Sequence, residues 1–528
     1  MEVTLTKFVS YKVYHHCVYA IISTVILSSG LAGTTIFLKP ELLAKDDARC
    51  RSRMSVVCFL YAITLPLATL LFAWCPIGPY STNVDQWVRI VILPVYFIIF
   101  GVPFFFAGLS ISHLFATARV SIRRLFFFDL VAAALGAALC PFCLETFGGY
   151  GTVAISAVLG MVACVLFRKL SQVADETAAQ AKQAGGAWLA QSGSFAVIIL
   201  LTLAYQPWAL AHLGYDIHSS REVFLKDLVL KDFNGVDQVY WNAIARIDVS
   251  HEGHSANQLF TYSFAERFRS HMPRGKMVMV DGSAPTRQFR IEGTIKDNPF
   301  IGTCLWATPY VVRQKPDPVL VIAGGGGSDI LAAKYYGIPR LDVVEINPAT
   351  FKHVLQDGKS DERKYYQDAL LSDANTKVTL FNKEGRHFCS TRPNGYYEVI
   401  QASAADTCTA ISSGALAMAE NHLYTIDAVR DFMRVLKPDG VLSLSHWRAD
   451  PPTTSLRMIA TYLGYLDSEH VPDPYKYVLA IGDGQWCDLV LKRSPFTQEE
   501  MQRVRKWAEE TDKADLLEIG RASCRERV

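Results

Sequence analysis

Long apolar runs occupy most of the first two hundred residues of the chain. The hydrocarbon core of a bilayer is about 30 Å thick, and a helix needs about 20 apolar residues to cross it. Six runs approach or exceed this length, and they predict transmembrane helices at residues 17–38, 55–74, 90–115, 125–147, 153–167 and 188–211. The sequence therefore predicts a multi-pass transmembrane domain over residues 1–213.

From residue 214 onward, the apolar runs shorten to strand length and charged residues become frequent. Two short runs, at 243–249 and 276–280, predict strands of a small β-rich entry region over residues 214–300. Residues 301–517 then alternate strands predicted at 318–322, 341–345, 378–381, 397–401 and 441–445 with helices predicted at 329–336, 425–436, 454–463 and 498–511. This alternation is typical of a doubly wound parallel sheet, so the predicted fold class is a transmembrane helical bundle followed by an α/β Rossmann-like domain.

The composition agrees with a chain that lies partly in lipid. Hydrophobic residues make up 50% of the sequence and charged residues 19%, against about 25% charged in typical soluble domains. The formal net charge of +2 argues against a nucleic-acid partner. The twelve cysteines do not form the spaced framework of a disulfide-rich secreted protein, and the sequence predicts no metal site.

The last residues of the chain are expected to be foreign to the protein. The segment 518–528 (EIGRASCRERV) matches the translation of a common sequencing-adaptor DNA. We therefore leave it out of the fold prediction, and we expect the native sequence to continue differently after Leu517.

Glycines and acidic residues follow the first two predicted strands of the Rossmann-like domain. The run AGGGGSD after the first strand contains Gly324, Gly325 and Gly327, which allow a tight turn and a close backbone approach to a ligand. Glu345 closes the second strand about twenty residues later, where a carboxylate can accept hydrogen bonds from ribose hydroxyls. Together these features predict a nucleoside-binding site.

The third and fourth predicted strands also end in polar residues. Glu384 and Gly385 follow the third strand and are candidates for the adenine edge of the site. Asp406 follows the fourth strand, where it would either orient or deprotonate a nucleophile or simply cap the next segment. The sequence leaves these two roles of Asp406 open.

The order of these features, followed by LYTIDAVRDFMRVLKPDGVLSLSHW, resembles the spermidine synthase family and, more broadly, class I S-adenosylmethionine-dependent methyltransferases. The pattern R-L-x-x-x-D-L-x-x-A-x-x-G in the fourth predicted helix is similar to that of membrane-fused spermidine synthase-like proteins of bacteria. The resemblance extends from about residue 94 to residue 517. It implies that S-adenosylmethionine or decarboxylated S-adenosylmethionine is the cofactor, with Glu345 holding the ribose. The cofactor-binding residues implied are Gly324, Gly325, Gly327, Asp329, Glu345, Ile346, Glu384 and Gly385, and the catalytic candidates are Asp406, Ser403 and Tyr424.

The sequence departs from this family in the region expected to bind the acceptor. Polyamine synthases carry an aspartate–x–x–aspartate pair after the fourth strand, but here Ser403 occupies the first position. Arg287 and Arg290 stand where the family usually has a tyrosine–histidine pair, and two arginines suit an anionic or neutral acceptor better than a polyamine.

The leading hypothesis is a membrane-anchored transferase that moves a methyl or aminopropyl group to a small-molecule acceptor, a polyamine or another compound. The alternative is a non-catalytic protein that senses a nucleoside or assists transport. The expected location is a bacterial cell membrane, and the oligomeric state, with a homodimer as one option, stays open. Lysine and arginine concentrate in the loops after the first, third and fifth predicted helices, which would place the Rossmann-like domain outside the cytoplasm. That orientation conflicts with a cytosolic cofactor, and the sequence does not resolve the conflict.

Overall fold

The computed structural model describes residues 1–12, 18–42, 47–74, 85–117, 121–174, 232–254, 264–356, 361–372, 375–405, 422–448, 451–483, 485–512 and 515–518. The N-terminal part of this structure is helical. Its elements are α1 (Glu2–Lys12), α2 (Val18–Leu38), α3 (Asp47–Trp74), α4 (Gln86–Thr117) and α5 (Ile122–Ala174). Helices α2 to α5 are long and apolar enough to cross a membrane.

A break separates the fourth and fifth predicted helices in the structure, as the sequence predicts. The fourth and fifth predicted helices both lie within α5, which is interrupted only at Gly148, where φ is 69° and ψ is −179°. This backbone conformation is essentially restricted to glycine, so one residue is enough to break the helix. The sixth predicted helix, 188–211, lies outside the described residues.

Aromatic side chains pack the described helices together. Phe72 of α3 contacts Tyr96 and Phe100 of α4 at ring-centroid distances of 4.8 Å in both cases. The first half of α5, in contrast, exposes large apolar side chains, among them Phe126, Phe127, Phe128, Leu130 and Leu135. A helix with such a surface is expected to face lipid or another apolar partner.

A four-stranded antiparallel sheet follows the helices. Its strands, in spatial order, are β1 (Val236–Trp241), β2 (Arg246–Ser250), β3 (Gly275–Val280) and β4 (Ser283–Phe289). The predicted strand at 276–280 is confirmed. The strand predicted at 243–249 begins later, at Arg246, because Asn242 Oδ1 accepts hydrogen bonds from the Ile244 and Ala245 N–H groups and closes a turn there.

The second sheet has eight strands, which are β5 (Val319–Ile322), β6 (Arg340–Val344), β7 (Lys377–Phe381), β8 (Tyr397–Ser403), β9 (Leu436–Trp447), β10 (Val478–Gly482), β11 (Trp486–Lys492) and β12 (Asp515–Glu518). Their spatial order is β12-β10-β11-β9-β8-β5-β6-β7. Strand β5 pairs in parallel with both β6 and β8, so the strand order reverses at β5. Ligands of open parallel sheets bind at such a reversal, beyond the carboxyl ends of the strands.

Helices cover both faces of this sheet. One face packs against α7 (Thr308–Val312), α8 (Ser328–Tyr335) and α13 (Gln498–Glu510), whose core residues include Tyr310, Leu331 and Val504. The other face packs against α10 (Gly385–Ser390), α11 (Ile426–Val435) and α12 (Thr453–Ser468), whose core residues include Phe388, Phe432 and Tyr462. Two further helices, α6 (Glu266–Arg269) and α9 (Asp361–Leu371), a π-helical segment (Thr350–Gln356) and several 3-10 helices also lie in this half of the chain.

The sequence-predicted strands and helices of this α/β region are confirmed, with bounds that shift by a few residues. Residues 437–440 (KPDG) form a bulge inside β9. Pairing with β8 jumps from Leu436–Tyr397 to Val441–Val399, which leaves residues 437–440 outside the ladder.

Candidate functional site

The glycine run connects β5 to α8 at the point where the strand order reverses. Gly325 and Gly327 have φ values of 50° and 90°, which favour glycine. At Gly326, a Cβ atom would lie 2.8 Å from Thr286 Oγ1 and 3.0 Å from the carbonyl oxygen of Arg287, so the loop packs tightly against β4. Gly325 is partly exposed, and an added Cβ there would make only ordinary van der Waals contacts, the nearest at 3.7 Å. The loop can therefore meet a ligand at Gly325.

Glu345 lies next to this position, just after β6. The Gly325 N–H donates to Glu345 Oε2 at 3.1 Å, and the Asn347 N–H donates to Glu345 Oε1 at 2.8 Å. The side chain is only 6% exposed, and its burial raises the pKa of the carboxyl, although these backbone hydrogen bonds oppose the change. The structure thus brings together the glycine run and the acid that the sequence predicted to grip a ribose.

The turn after Glu345 is fixed by a neighbouring strand end. Asn382 Nδ2 donates to the carbonyl oxygens of Glu345 and Ile346, at 2.8 and 3.2 Å. The Ile346 side chain remains 37% exposed. The sequence placed the segment from Asn382 to Arg386 at the end of the third strand but assigned no role to Asn382 itself.

Glu384 has a different local role from the one expected. Its carboxylate caps α10, since it accepts hydrogen bonds from the Arg386 N–H (2.9 Å) and the His387 N–H (2.6 Å). A Cβ atom on Gly385 would lie 2.5 Å from Ile322 Cγ2, so glycine is needed there for packing against β5. Glu384 and Gly385 both follow the end of β7. An adenine that bound the Glu384 carboxylate would have to compete with the hydrogen bonds by which this carboxylate caps α10.

Asp329 and Ser403 form a buried polar cluster beside the glycine run. Ser403 Oγ and Gln401 Nε2 both donate to Asp329 Oδ1 at 2.6 Å. Asp329 is only 5% exposed, and burial raises the pKa of its carboxyl to about 7, with the hydrogen bond from Ser403 opposing and the charge of Asp488 adding to the rise. The cluster therefore places a carboxyl group beside Ser403, one of the catalytic candidates.

A second buried carboxylate, Asp488, was not anticipated from the sequence. Ser443 Oγ donates to its Oδ1 at 2.8 Å, and Ser445 Oγ donates to the same atom at 3.1 Å. Burial raises the pKa of Asp488 to about 6. Because Ser445 pairs with Ser403 across β8 and β9, the two carboxyl groups belong to one polar layer on the same face of the sheet. The signal in the sequence was a single acid in an apolar strand.

Aromatic side chains border this polar layer. Trp447, at the end of β9, contacts Trp486 at a ring-centroid distance of 5.3 Å, and Trp486 contacts Trp306 at 6.2 Å. Trp447 is 41% exposed. The layer of hydroxyl and carboxyl groups therefore has an apolar, partly open border.

The remaining catalytic candidates lie elsewhere or outside the described residues. Tyr424 packs against the core cluster that contains Ala402, whereas Ser403 bonds across the opposite face of β8. Asp406 lies outside the described residues. Within the described ranges, no group of three or more histidine, cysteine or acidic side chains could hold a metal ion.

The two arginines that suggested an anionic acceptor are used inside the small sheet. Arg290 binds Glu252 with Nη1–oxygen distances of 3.0 and 2.9 Å. Arg287 is buried and donates to the Pro273 carbonyl oxygen at 2.7 Å, and burial lowers its pKa to about 10. Both side chains therefore have partners within the protein, and the suggestion of an anionic or neutral acceptor stays a prediction.

Comparisons with known proteins give distant structural likenesses. No family model matches the chain, and no curated protein matches it. Among solved structures, the chain is similar to a spermidine synthase in complex with the transition-state analogue AdoDATO, at 15% identity over 52% of this chain and 79% of that chain, with a TM-score of 0.32. The chain is also similar to the spermidine synthase from Thermotoga maritima, at 16% identity over 52% of this chain and 79% of that chain, with a TM-score of 0.33. A third similar structure is human methyltransferase-like protein 13 in complex with SAH, at 15% identity over 39% of this chain and 88% of that chain, with a TM-score of 0.27. At such low TM-scores, we rely on the strand order and the side-chain geometry instead.

Proposed function

We propose that the chain is a membrane-embedded transferase that binds S-adenosylmethionine or its decarboxylated form and passes a methyl or aminopropyl group to a small-molecule acceptor. The observation that carries this proposal is the pairing of Glu345 with the partly exposed glycine, Gly325, at the reversal of the strand order. A buried carboxylate beside a partly exposed backbone position fits a ribose with two hydroxyl groups.

The residues around the site fit the nucleoside end of such a donor. Glu345 accepts hydrogen bonds from the Gly325 N–H on one carboxylate oxygen and from the Asn347 N–H on the other, and the Ile346 N–H contributes a third. Two carboxylate oxygens offer about four lone pairs, so acceptor capacity remains for a hydroxyl donor. Removal of that carboxylate from water makes it a strong acceptor for a bound hydroxyl. Gly325 lets the backbone approach the ligand without a side-chain clash.

The polar layer fits the task of accepting a proton. When bound, the donor supplies a carbon next to a sulfonium, which an acceptor nucleophile attacks directly. We assign proton uptake to Ser403 and Asp329, because an acceptor N–H or O–H held against Ser403 Oγ can pass its proton there while the Ser403 proton moves to Asp329. A carboxyl group with a pKa of about 7 is well matched to this exchange near neutral pH.

The apolar helices support a membrane location for this activity. Four described helices have the length and composition of transmembrane segments, and α5 exposes a row of large apolar side chains. A soluble protein would rarely leave so much apolar surface in water. We therefore propose that the α/β region works while anchored to a bilayer.

Transfer from each donor to a panel of amines and other small nucleophiles tests the proposal directly. The full-length protein, purified in a mild detergent, would be incubated with labelled S-adenosylmethionine or labelled decarboxylated S-adenosylmethionine. We expect label to move from one of the two donors to an acceptor, and the donor that works identifies the group transferred. Tight binding of a donor without transfer to any acceptor would contradict the proposal.

That second outcome defines the alternative function, a nucleoside sensor without catalysis. The observation in its favour is Ser403, which stands where a polyamine synthase has an aspartate. A sensor would still bind the donor at Glu345, and neutralisation of Asp329 would not weaken that binding. A variant with Asp329→Asn that binds the donor as the parent does, in a protein that never transfers label, would favour the sensor.

A further inference from the structure

The acid that we assign to the ribose is connected, through Asn347, to a residue outside the Rossmann-like region. The Asn347 N–H donates to Glu345 Oε1, and the side-chain oxygen of Asn347 in turn accepts a hydrogen bond from Asn242 Nδ2 at 2.7 Å. Asn242 follows β1 of the small sheet. The position of Glu345 is therefore connected to a different part of the fold through two side chains.

The orientation of Asn242 is determined by its own turn. Its Oδ1 accepts the Ile244 N–H at 2.8 Å and the Ala245 N–H at 2.9 Å, so the amide oxygen must face the turn. The amide nitrogen then points the other way, toward Asn347 Oδ1. Because Asn242 is only 3% exposed, water cannot easily replace this contact.

Asn347 also has a determined orientation. Its Oδ1 accepts both the Asn242 Nδ2–H and the Ala349 N–H, the latter at 2.9 Å. Its amide nitrogen is buried and has no hydrogen-bond acceptor among the described residues. A buried donor without an acceptor costs free energy. The two hydrogen bonds accepted by Asn347 Oδ1 must therefore outweigh that cost and determine the orientation of the amide group.

The turn after β1 is held in place by the N-terminal helix. Lys7 of α1 is fully buried, and its Nζ donates to the Ile244 carbonyl oxygen at 2.5 Å. The next residue, Phe8, contacts Trp241 at a ring-centroid distance of 5.4 Å and Tyr150 at 4.8 Å. One side of the turn therefore contacts α1, and the other side contacts the loop that carries Glu345.

We propose that Asn242 and Lys7 are positioning residues for Glu345, so that the small sheet and the N-terminal helix complete the ribose end of the nucleoside site. This inference rests on the proposed function, because it assumes that Glu345 binds ribose hydroxyls. A separated α/β region would then bind the nucleoside more weakly than the full chain does.

Asn242→Asp isolates the proposed link. Aspartate keeps an acceptor oxygen for the Ile244 and Ala245 N–H groups, but it replaces the donor nitrogen with an oxygen that faces Asn347 Oδ1. We expect the Kd of the full-length protein for adenosine to rise about 2- to 10-fold, which is the effect of one lost hydrogen bond. The Kd for 2′,3′-dideoxyadenosine should stay within about twofold, because this probe lacks the hydroxyls that Glu345 would bind. Equal weakening of both probes, or no weakening of either, would overturn the inference.

A second variant keeps the test informative if Asn242→Asp does not fold. Lys7→Met retains the length and apolar stem of lysine but removes the contact with Ile244, and we expect the same selective loss for adenosine. Lys352→Met, at an exposed lysine near the same loop, is the matched control and should bind both probes as the parent does. Equal binding of both probes by Lys7→Met and by the control would overturn the role of Lys7.

The parent protein separates this inference from the proposed function. A parent that prefers adenosine over 2′,3′-dideoxyadenosine supports the assignment of Glu345, whatever the variants do. A parent that binds both probes equally would overturn the proposed role of Glu345, and the inference with it. In the double variant Glu345→Gln/Asn242→Asp, adenosine should bind no more weakly than to Glu345→Gln alone, since the second change would have no carboxylate left to position.

Discussion

Replacement of Asp329 with asparagine should stabilise the folded protein relative to the parent, and the gain should grow as the pH rises. Burial raises the pKa of this carboxyl from 3.8 to about 7. Below pH 3.8 the carboxyl is protonated in both the folded and the unfolded chain, so its full contribution to the free energy of unfolding is present. As the pH rises toward 7, the unfolded chain ionises first and the folded state loses that contribution.

The magnitude follows from the two pKa values. Each tenfold difference in proton affinity corresponds to about 1.4 kcal/mol, so the complete loss, reached above pH 7, is about 4 kcal/mol. Roughly 1.6 kcal/mol of this is already lost at pH 5. Asparagine stays neutral and still accepts the hydrogen bonds from Gln401 and Ser403. The difference in unfolding free energy between the variant and the parent should therefore widen by roughly 3 kcal/mol from pH 5 to pH 8.

Thermal unfolding in detergent, followed by tryptophan fluorescence at pH 5 and pH 8, measures this change. A difference of 3 kcal/mol corresponds to a shift in Tm on the order of 10 °C for a domain of this size. Asp427→Asn removes an exposed carboxylate and serves as the control. If the Tm difference between Asp329→Asn and the parent is the same at both pH values, the buried, proton-binding carboxyl that we assign to the site does not exist.

Other perturbations test separate parts of the structure. Gly326→Ala should destabilise the loop, because its Cβ would press against the Arg287 backbone. Gly325→Ala has room for its Cβ but places alanine at a positive φ, so it should cost a smaller amount of stability and should also weaken nucleoside binding. Tm and Kd measurements on both variants distinguish the two effects. Gly148→Ala should lower the Tm by a few degrees, because alanine would cost about 1–3 kcal/mol in that backbone conformation. Ser110→Cys and Ser156→Cys, made one at a time, test the embedding of α4 and α5. Thiol reagents that cannot cross a bilayer should label either cysteine far less than they label a cysteine in an exposed loop. Efficient labelling of either variant in intact membranes would contradict the proposed embedding.

Local sequence patterns were sufficient to predict the elements of the α/β region and the pairing of Glu345 with the glycine run. Strand and helix periods are local, and the carboxyl ends of neighbouring parallel strands meet at one edge of a sheet, so both could be inferred without the fold. The resemblance to spermidine synthases directed attention to the same edge.

The roles of single polar side chains could not be predicted in this way. Arg290 and Arg287 suggested an anionic or neutral acceptor, but the sequence did not reveal that Arg290 binds Glu252 or that Arg287 donates to the Pro273 carbonyl oxygen. Glu384 was expected at the adenine, but its carboxylate caps the following helix. These partners lie far apart in sequence or depend on the detailed backbone path, which periodicity does not report.

The buried carboxyl layer shows the same limit. Asp488 is a single acid among apolar residues of β11, and its serine partners lie more than forty residues earlier in the chain. Asp329 was among the cofactor-binding residues implied by the resemblance, and in the structure its carboxyl accepts hydrogen bonds from Gln401 and Ser403 of β8. Only the register of β8, β9 and β11 brings these groups into one layer.

Binding of S-adenosyl-L-homocysteine to the parent, to Glu345→Gln and to Glu398→Gln is the most direct test of the nucleoside site. Glu398 provides a matched control, because it is a carboxylate near the amino end of β8, at the opposite edge of the same sheet. Loss of the charged acceptor should weaken binding to Glu345→Gln about 10- to 100-fold, while Glu398→Gln binds as the parent does. Equal affinity of Glu345→Gln and the parent, or no measurable binding to any of the three proteins, would contradict the account.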